Sequence, residues 1–172
     1  MNYSNIKYFD IANGPGVRIS LFVSGCRNHC EGCFQPETWD FNYGKLFTNI
    51  TVQEIIENSK PEYISGLTLL GGDPFEEENQ STLALFTEQY KKAYPNKTIW
   101  AFTGYWLEDL LEGGRKYTKD TDILLNNIDV LVDGPFIIEQ KNLCLKFRGS
   151  ENQRIIDLKK TLTKGEVYML YE

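Results

Sequence analysis

Two hydrophobic periods alternate along the chain. Val17–Val23 (VRISLFV) alternates and is rich in β-branched and aromatic residues, which predicts a strand. It runs straight into Ser24-Gly25 and a cluster of cysteines. Thr51 with Glu54 three residues on has the form of a capping box and predicts a helix to about Ser59. Ile64 to Leu70 predicts a second strand, stopped at Gly71-Gly72-Asp73-Pro74. A helix is expected from Glu77 to about Ala93, acidic in its first turn and with Lys91 and Lys92 in its last, as the helix dipole prefers. Thr98 to Phe102 is a third strand ending at Thr103-Gly104, and Tyr105 to Leu111 a short helix closed by Gly113-Gly114. Asp122 to Asn126 reads as helical, Ile128 to Val132 as a fourth strand ending at Asp133-Gly134-Pro135, and Leu143 to Phe147 and Ile155 to Leu158 as further strands.

Strand and helix thus alternate at βαβ spacing, which predicts an α/β fold with a mostly parallel sheet covered by helices. The length of 172 residues fits a single domain spanning 1–172. In such sheets ligands gather beyond the C-terminal ends of the strands. Four successive strand ends carry unusual residues here, namely the cysteines, GGDP, Thr103-Gly104 and Asp133-Gly134-Pro135, so one cofactor pocket is expected to use all four.

Composition narrows the classes. A hydrophobic fraction of 41%, a charged fraction of 24% and a formal net charge of −6 describe a soluble acidic domain, a poor grip for nucleic-acid phosphates. No apolar run is long enough for a bilayer, and the first residues lack the apolar core of a secretory signal. The expectation is a cytoplasmic protein with neither a membrane nor a nucleic-acid partner.

Three of the four cysteines, Cys26, Cys30 and Cys33, lie in the run CRNHCEGC, spaced C-x3-C-x2-C. A disulfide framework would want partners spread over the fold and an oxidising compartment. Three thiolates on a tight loop suit three irons of a cubane cluster with the fourth iron left open. The rival is a Cys3His zinc site using His29, which asks adjacent residues 29 and 30 to reach one ion. Spacing alone leaves both open.

The order of motifs resembles the radical S-adenosylmethionine superfamily: C-x3-C-x2-C after a first strand, then a GG-acid-P turn after the second. Asn13-Gly14-Pro15-Gly16-Val17-Arg18 before the cysteines and Phe34-Gln35-Pro36-Glu37-Thr38-Trp39 after them are similar to the glycyl-radical-enzyme activating enzymes. Residues 100–105 (WAFTGY), 130–136 (VLVDGPF) and 148–154 (RGSENQR) resemble the branch that serves anaerobic (class III) ribonucleoside-triphosphate reductases. The resemblance implies a truncated, (β/α)6-like partial barrel. It implies a 4Fe-4S cluster on Cys26, Cys30 and Cys33, whose open iron takes S-adenosyl-L-methionine. It implies reductive cleavage of that cofactor to a 5′-deoxyadenosyl radical, which takes a Cα hydrogen from a glycine of the reductase's large subunit. A one-electron donor such as reduced flavodoxin suits the family. Within the superfamily, another glycyl-radical activase or a carboxy-deazaguanine synthase is the alternative; outside it, a zinc-binding interaction domain.

Other residues are candidates for holding the cofactor. Gly71, Gly72, Asp73 and Pro74 form an ordinary turn by themselves, but beside the cysteine motif they become a seat for the cofactor's methionine end, with Asp73 or neighbouring carbonyls accepting from its ammonium. Many superfamily members carry an aromatic residue just before the third cysteine; here Gly32 stands there and Phe34 follows Cys33. Thr103 and Asp133 end parallel strands, and Ser150 and Asn152 sit in a polar stretch able to hydrogen-bond a cofactor. Cys144, in an apolar alternation, is expected to be a small buried side chain. The run Glu76-Glu77-Glu78 is expected to be a solvated helix start, and His29 a loop residue near the cysteines.

Overall fold

The computed structural model describes residues 1–171 and contains one seven-stranded sheet. In chain order the elements are β1 (Asn2–Asp10), β2 (Val17–Val23), β3 (Lys45–Leu46), α1 (Asn49–Asn58), β4 (Ile64–Gly71), α2 (Glu77–Ala93), β5 (Thr98–Phe102), α3 (Leu107–Leu110), α4 (Thr121–Asn127), β6 (Val130–Asp133), β7 (Arg154–Asp157) and α5 (Leu158–Lys164). The strands lie in the order β3-β1-β2-β4-β5-β6-β7. The centre, β2-β4-β5-β6, is parallel, and β1 and β7 flank it antiparallel. The sheet is therefore mixed and mostly parallel at its heart, as the βαβ alternation predicts.

Alternate strand residues divide the molecule into two faces. Ile19, Leu21, Val23, Leu67, Leu69, Ile99, Ala101 and Leu131 join residues from all five α-helices in the main core. On the opposite face Trp100, Val130, Val132 and Ile155 form a smaller cluster with Phe102 and Phe147. Arg18, fully buried on that face, donates to Thr68 Oγ1 (2.8 Å), Leu67 O (2.8 Å), Thr98 O (2.8 Å) and Thr98 Oγ1 (3.0 Å). Its partners are neutral oxygens, and burial pulls its pKa down to about 10. The guanidinium ties β2, β4 and β5 together beneath the site.

Several boundaries differ from the sequence expectation. The first helix opens at Thr48, whose N–H donates to Thr51 Oγ1 (3.4 Å), so the box is formed one turn earlier than Thr51 and Glu54 suggest. Leu143 to Phe147 forms no strand, and Leu143 is 87% exposed. Cys144 is exposed too, because the apolar alternation around it has no sheet to pack on. Strand β1 has no clean alternation in the sequence because register shifts break its period: Tyr3 and, past a bulge, Ile6 and Tyr8 all pack on the core. The expected strand Ile155 to Leu158 gives way at Leu158 to helix α5, which Asp157 caps by accepting from Lys160 N–H (3.0 Å) and Gly165 stops at φ +76°.

Candidate functional site

A cavity of about 550 Å³ opens on the sheet face opposite the α-helices, beyond the C-terminal ends of the parallel strands. Its size suits a ligand of cofactor dimensions. All four expected strand ends contribute: Cys26, Cys30 and Cys33 after β2, Gly71 to Asp73 after β4, Thr103 and Gly104 after β5, and Gly134 after β6. Phe34 also borders the cavity, but its ring is 79% exposed with Lys141 Nζ 5.4 Å from its centroid.

The base of the cysteine loop is held by backbone bonds to the helical turn after it and to the end of β4. Gly25 N–H donates to Thr38 O (2.7 Å), Gly72 N–H to Val23 O (2.7 Å), and Asp73 N–H to Gly25 O (2.8 Å). The glycines of the GGDP turn make room for this contact. A Cβ at position 72 would stand 2.5 Å from Gly25 O, and one at position 71, where φ is +113°, 2.6 Å from Val23 N. All three thiols are free. Burial pushes Cys26 up to about 12, with the Asp73 charge adding to the rise and hydrogen bonds from Asn28 opposing it. Burial raises Cys30 as well, against a hydrogen bond from the Phe136 backbone.

Asp73 is 1% exposed, and protein donors satisfy its carboxylate. Oδ1 accepts from Phe75 N–H (2.9 Å), Oδ2 from Asn28 Nδ2 (3.0 Å) and Gly104 N–H (2.9 Å), and the Thr103 hydroxyl reaches both (2.9 and 3.0 Å). Desolvation pushes its pKa up to about 6. Asp73 is therefore a brace between strand ends, its carboxylate already occupied by protein donors. Glu76 is fully buried, against the expectation of a solvated helix start. It accepts from Arg27 N–H (2.8 Å), Arg27 Nη1 (2.7 Å), Tyr105 OH (2.6 Å) and Lys116 Nζ (2.8 Å).

Five of the expected binding residues do not line the cavity: Gly32, Pro74, Asp133, Ser150 and Asn152. Asp133 turns its carboxylate to Arg154 (Nε 2.9 Å, Nη2 2.5 Å) and Leu107 N–H (2.7 Å) because that buried charge needs a partner. Ser150 accepts from Ile137 N–H (3.3 Å), and Asn152 Nδ2 donates to Pro135 O (2.7 Å), so both shape the loop after β6. Gly32 packs on Ile138, where a Cβ would meet Cδ1 at 2.9 Å. In their place Asn28, Gln35, Phe136, Phe147, Arg148 and Gln153 line the cavity. Phe147 has φ +55° and His29, in the cysteine loop, φ +46°, both non-glycine residues in the left-handed region, which no sequence pattern announces.

The donor chemistry fits an iron–sulfur cluster with a small zwitterionic ligand. Three thiols share one cavity, and each corner of a cubane takes its own thiolate. Gln35 Oε1 is buried without a hydrogen-bond partner among the described residues, leaving an acceptor on the lining. Lys7 and Arg148 are cations on the wall, suited to a carboxylate. A Cys3His zinc site gains no support from His29, whose exposed ring stacks on Trp39 at 4.4 Å between centroids. No helix of the described residues is long and apolar enough to cross a membrane.

Residues 12–156 match the family model of the 4Fe-4S single cluster domain. The chain is 43% identical over 157 residues to the anaerobic ribonucleoside-triphosphate reductase-activating protein of Haemophilus influenzae, covering 90% of this chain and 97% of that one. Its counterpart of the same name from Enterobacteria phage T4 is 41% identical over 90% of this chain and 93% of its own. The Escherichia coli K12 protein of that name is 37% identical over 161 residues, 92% of this chain and 100% of its own.

Proposed function

The chain belongs to the 4Fe-4S single cluster domain family and, within it, to the anaerobic ribonucleoside-triphosphate reductase-activating proteins, and from that premise we propose that it installs a glycyl radical on such a reductase. In this reading the chain is a radical S-adenosylmethionine oxidoreductase, one truncated (β/α)6-like partial barrel over residues 1–172 that works in the cytoplasm. The observation that carries it is the meeting of three free thiols with the GGDP turn on one cavity, in a chain so similar to proteins of that name. Cys26, Cys30 and Cys33 hold a 4Fe-4S cluster through one thiolate each. When bound, the cluster and S-adenosyl-L-methionine supply one-electron reductive cleavage of a sulfonium, directed at the Cα–H of a reductase glycine.

The chain's own residues bind, orient and exclude water. Backbone carbonyls at the end of β4 receive the ammonium, and Asp73 keeps that strand end fixed through Thr103 and Gly104. Arg148 or Lys7 faces the carboxylate, and Phe102, Phe136 and Phe147 give the cavity a dry wall. A flexible glycine loop of the partner enters at the mouth, since a reactive radical cannot travel to a distant target. The electron comes from a small one-electron donor of the reduced flavodoxin type.

The test is anaerobic. Reconstituted with iron and sulfide and given S-adenosylmethionine, a reductant and the cognate reductase, the protein should release 5′-deoxyadenosine. It should also raise a glycyl-radical doublet by electron paramagnetic resonance, and deuterating the reductase glycine at Cα should collapse the main splitting. Cofactor cleavage with no radical on the reductase would refute the target and leave a different radical enzyme.

A further inference from the structure

One side-chain amide joins the cysteine loop to the strand ends behind it. Asn28 Nδ2 lies 3.0 Å from Asp73 Oδ2 and 3.6 Å from Cys26 Sγ. The carboxylate can only accept, which fixes Nδ2 rather than Oδ1 on that side. An amide nitrogen has two hydrogens, so one can serve the carboxylate and the other the sulfur. The amide is boxed in as well, since a Cβ at Gly104 would collide with Asn28 Nδ2. Asp73 in turn is locked by Thr103, Gly104 and Phe75. The donor is thus aimed by a rigid, buried acceptor on the far side.

We propose that Asn28 is a positioning residue that sets the reduction potential of the cluster by donating its side-chain amide to Cys26 Sγ, with Asp73 and Gly104 holding it in line. The inference rests on the reading that Cys26 is a cluster ligand. Hydrogen bonds to ligating sulfur favour the reduced, more negative cluster and so raise its potential. Asn28 touches one of the three cysteines and carries no charge of its own, so it tunes without adding charge to the site. It also links the loop to the GGDP turn, so the seat of the cofactor and the electronics of the cluster share one fixed point.

The experiment is a redox titration of the reconstituted wild-type protein and of the variants Asn28→Ala, Gly104→Ala and Thr103→Val, followed by electron paramagnetic resonance, with iron and sulfide content measured alongside. Asn28→Ala removes the donor, and Gly104→Ala pushes the amide aside while leaving the cysteine loop's sequence intact. Both should lower the midpoint potential, leaving about tenfold less cluster reduced at a fixed solution potential, ~59 mV for a one-electron couple. Thr103→Val removes one donor to Asp73 and loosens the acceptor that aims the amide without removing the amide itself, so its midpoint should fall by clearly less than in Asn28→Ala. An unshifted potential in a fully loaded Asn28→Ala protein overturns the proposal. Should Asn28→Ala fail to load, an unshifted Gly104→Ala protein overturns it equally. An equal shift in Thr103→Val also overturns it, by giving the effect to Asp73 as a whole. A wild-type protein that takes up no iron defeats the cluster reading itself, and is told apart because no variant is needed to see it.

Discussion

A side chain at position 72 would stand 2.5 Å from the carbonyl oxygen of Gly25, and that oxygen is already the acceptor for Asp73 N–H. The glycine is therefore required by the loop that carries Cys26, before any ligand is considered. Gly72→Ala is expected to cost about 1–3 kcal/mol, as overpacking does, and to lower iron content together with cofactor binding. Urea denaturation and iron analysis check both, and normal iron with weakened cofactor binding alone would contradict the contact. Replacing Cys26, Cys30 or Cys33 by Ala should abolish cluster assembly, because three thiolates leave no spare. Cys144→Ala should keep full iron and change stability by no more than about 0.5 kcal/mol, since the side chain is exposed. The motif residues were legible from spacing, whereas Asn28 and Gln35 were not, because their importance lies in where an amide points.

Glu76 shows what an element boundary can conceal. Its place in an acidic run at the start of α2 gives no hint that it is buried, yet it gathers Arg27, Tyr105 and Lys116 from three separate segments. Burial alone would raise its pKa, but hydrogen bonds from Lys116, Tyr105 and Arg27 prevail and hold it below the usual carboxylate range. A lowered folded pKa means stability that is present above the ordinary carboxylate value and is lost as pH falls through the lowered one. Glu76→Gln should therefore destabilise the protein near neutrality by about 3 kcal/mol, leaving Lys116 buried without its counter-charge. The same variant should show a flatter acid limb in a plot of midpoint urea concentration against pH, and a limb as steep as wild type would assign the acid sensitivity elsewhere. Among the regular elements, α2 and β5 were read to the residue because their periods are unbroken. Strand β1 was hidden by its bulge, and Leu143 to Phe147 misled because an apolar alternation says nothing of whether a sheet is there to receive it.

At the scale of the molecule, helices cover one face of the sheet and the cavity opens on the other. The alternation of strand and helix made the parallel centre readable, and the punctuation after each strand located the cavity. Which residues close the wall was not readable, since Phe136, Phe147 and Arg148 come from an irregular stretch placed by tertiary contacts. The backbone bonds at the base of the cysteine loop are made with Thr38 and Trp39 just past it and with Gly72 and Asp73 after β4. Apo and reconstituted proteins should accordingly give superimposable far-ultraviolet circular dichroism, and a gain of structure on loading would contradict a preformed loop. The base of that loop takes its shape when β4 docks beside β2, so iron would arrive where the protein's own bonds have already placed the first cysteine. A cluster destroyed by oxygen would then leave behind an intact vessel, and the protein could be recharged repeatedly without passing through the unfolded chain.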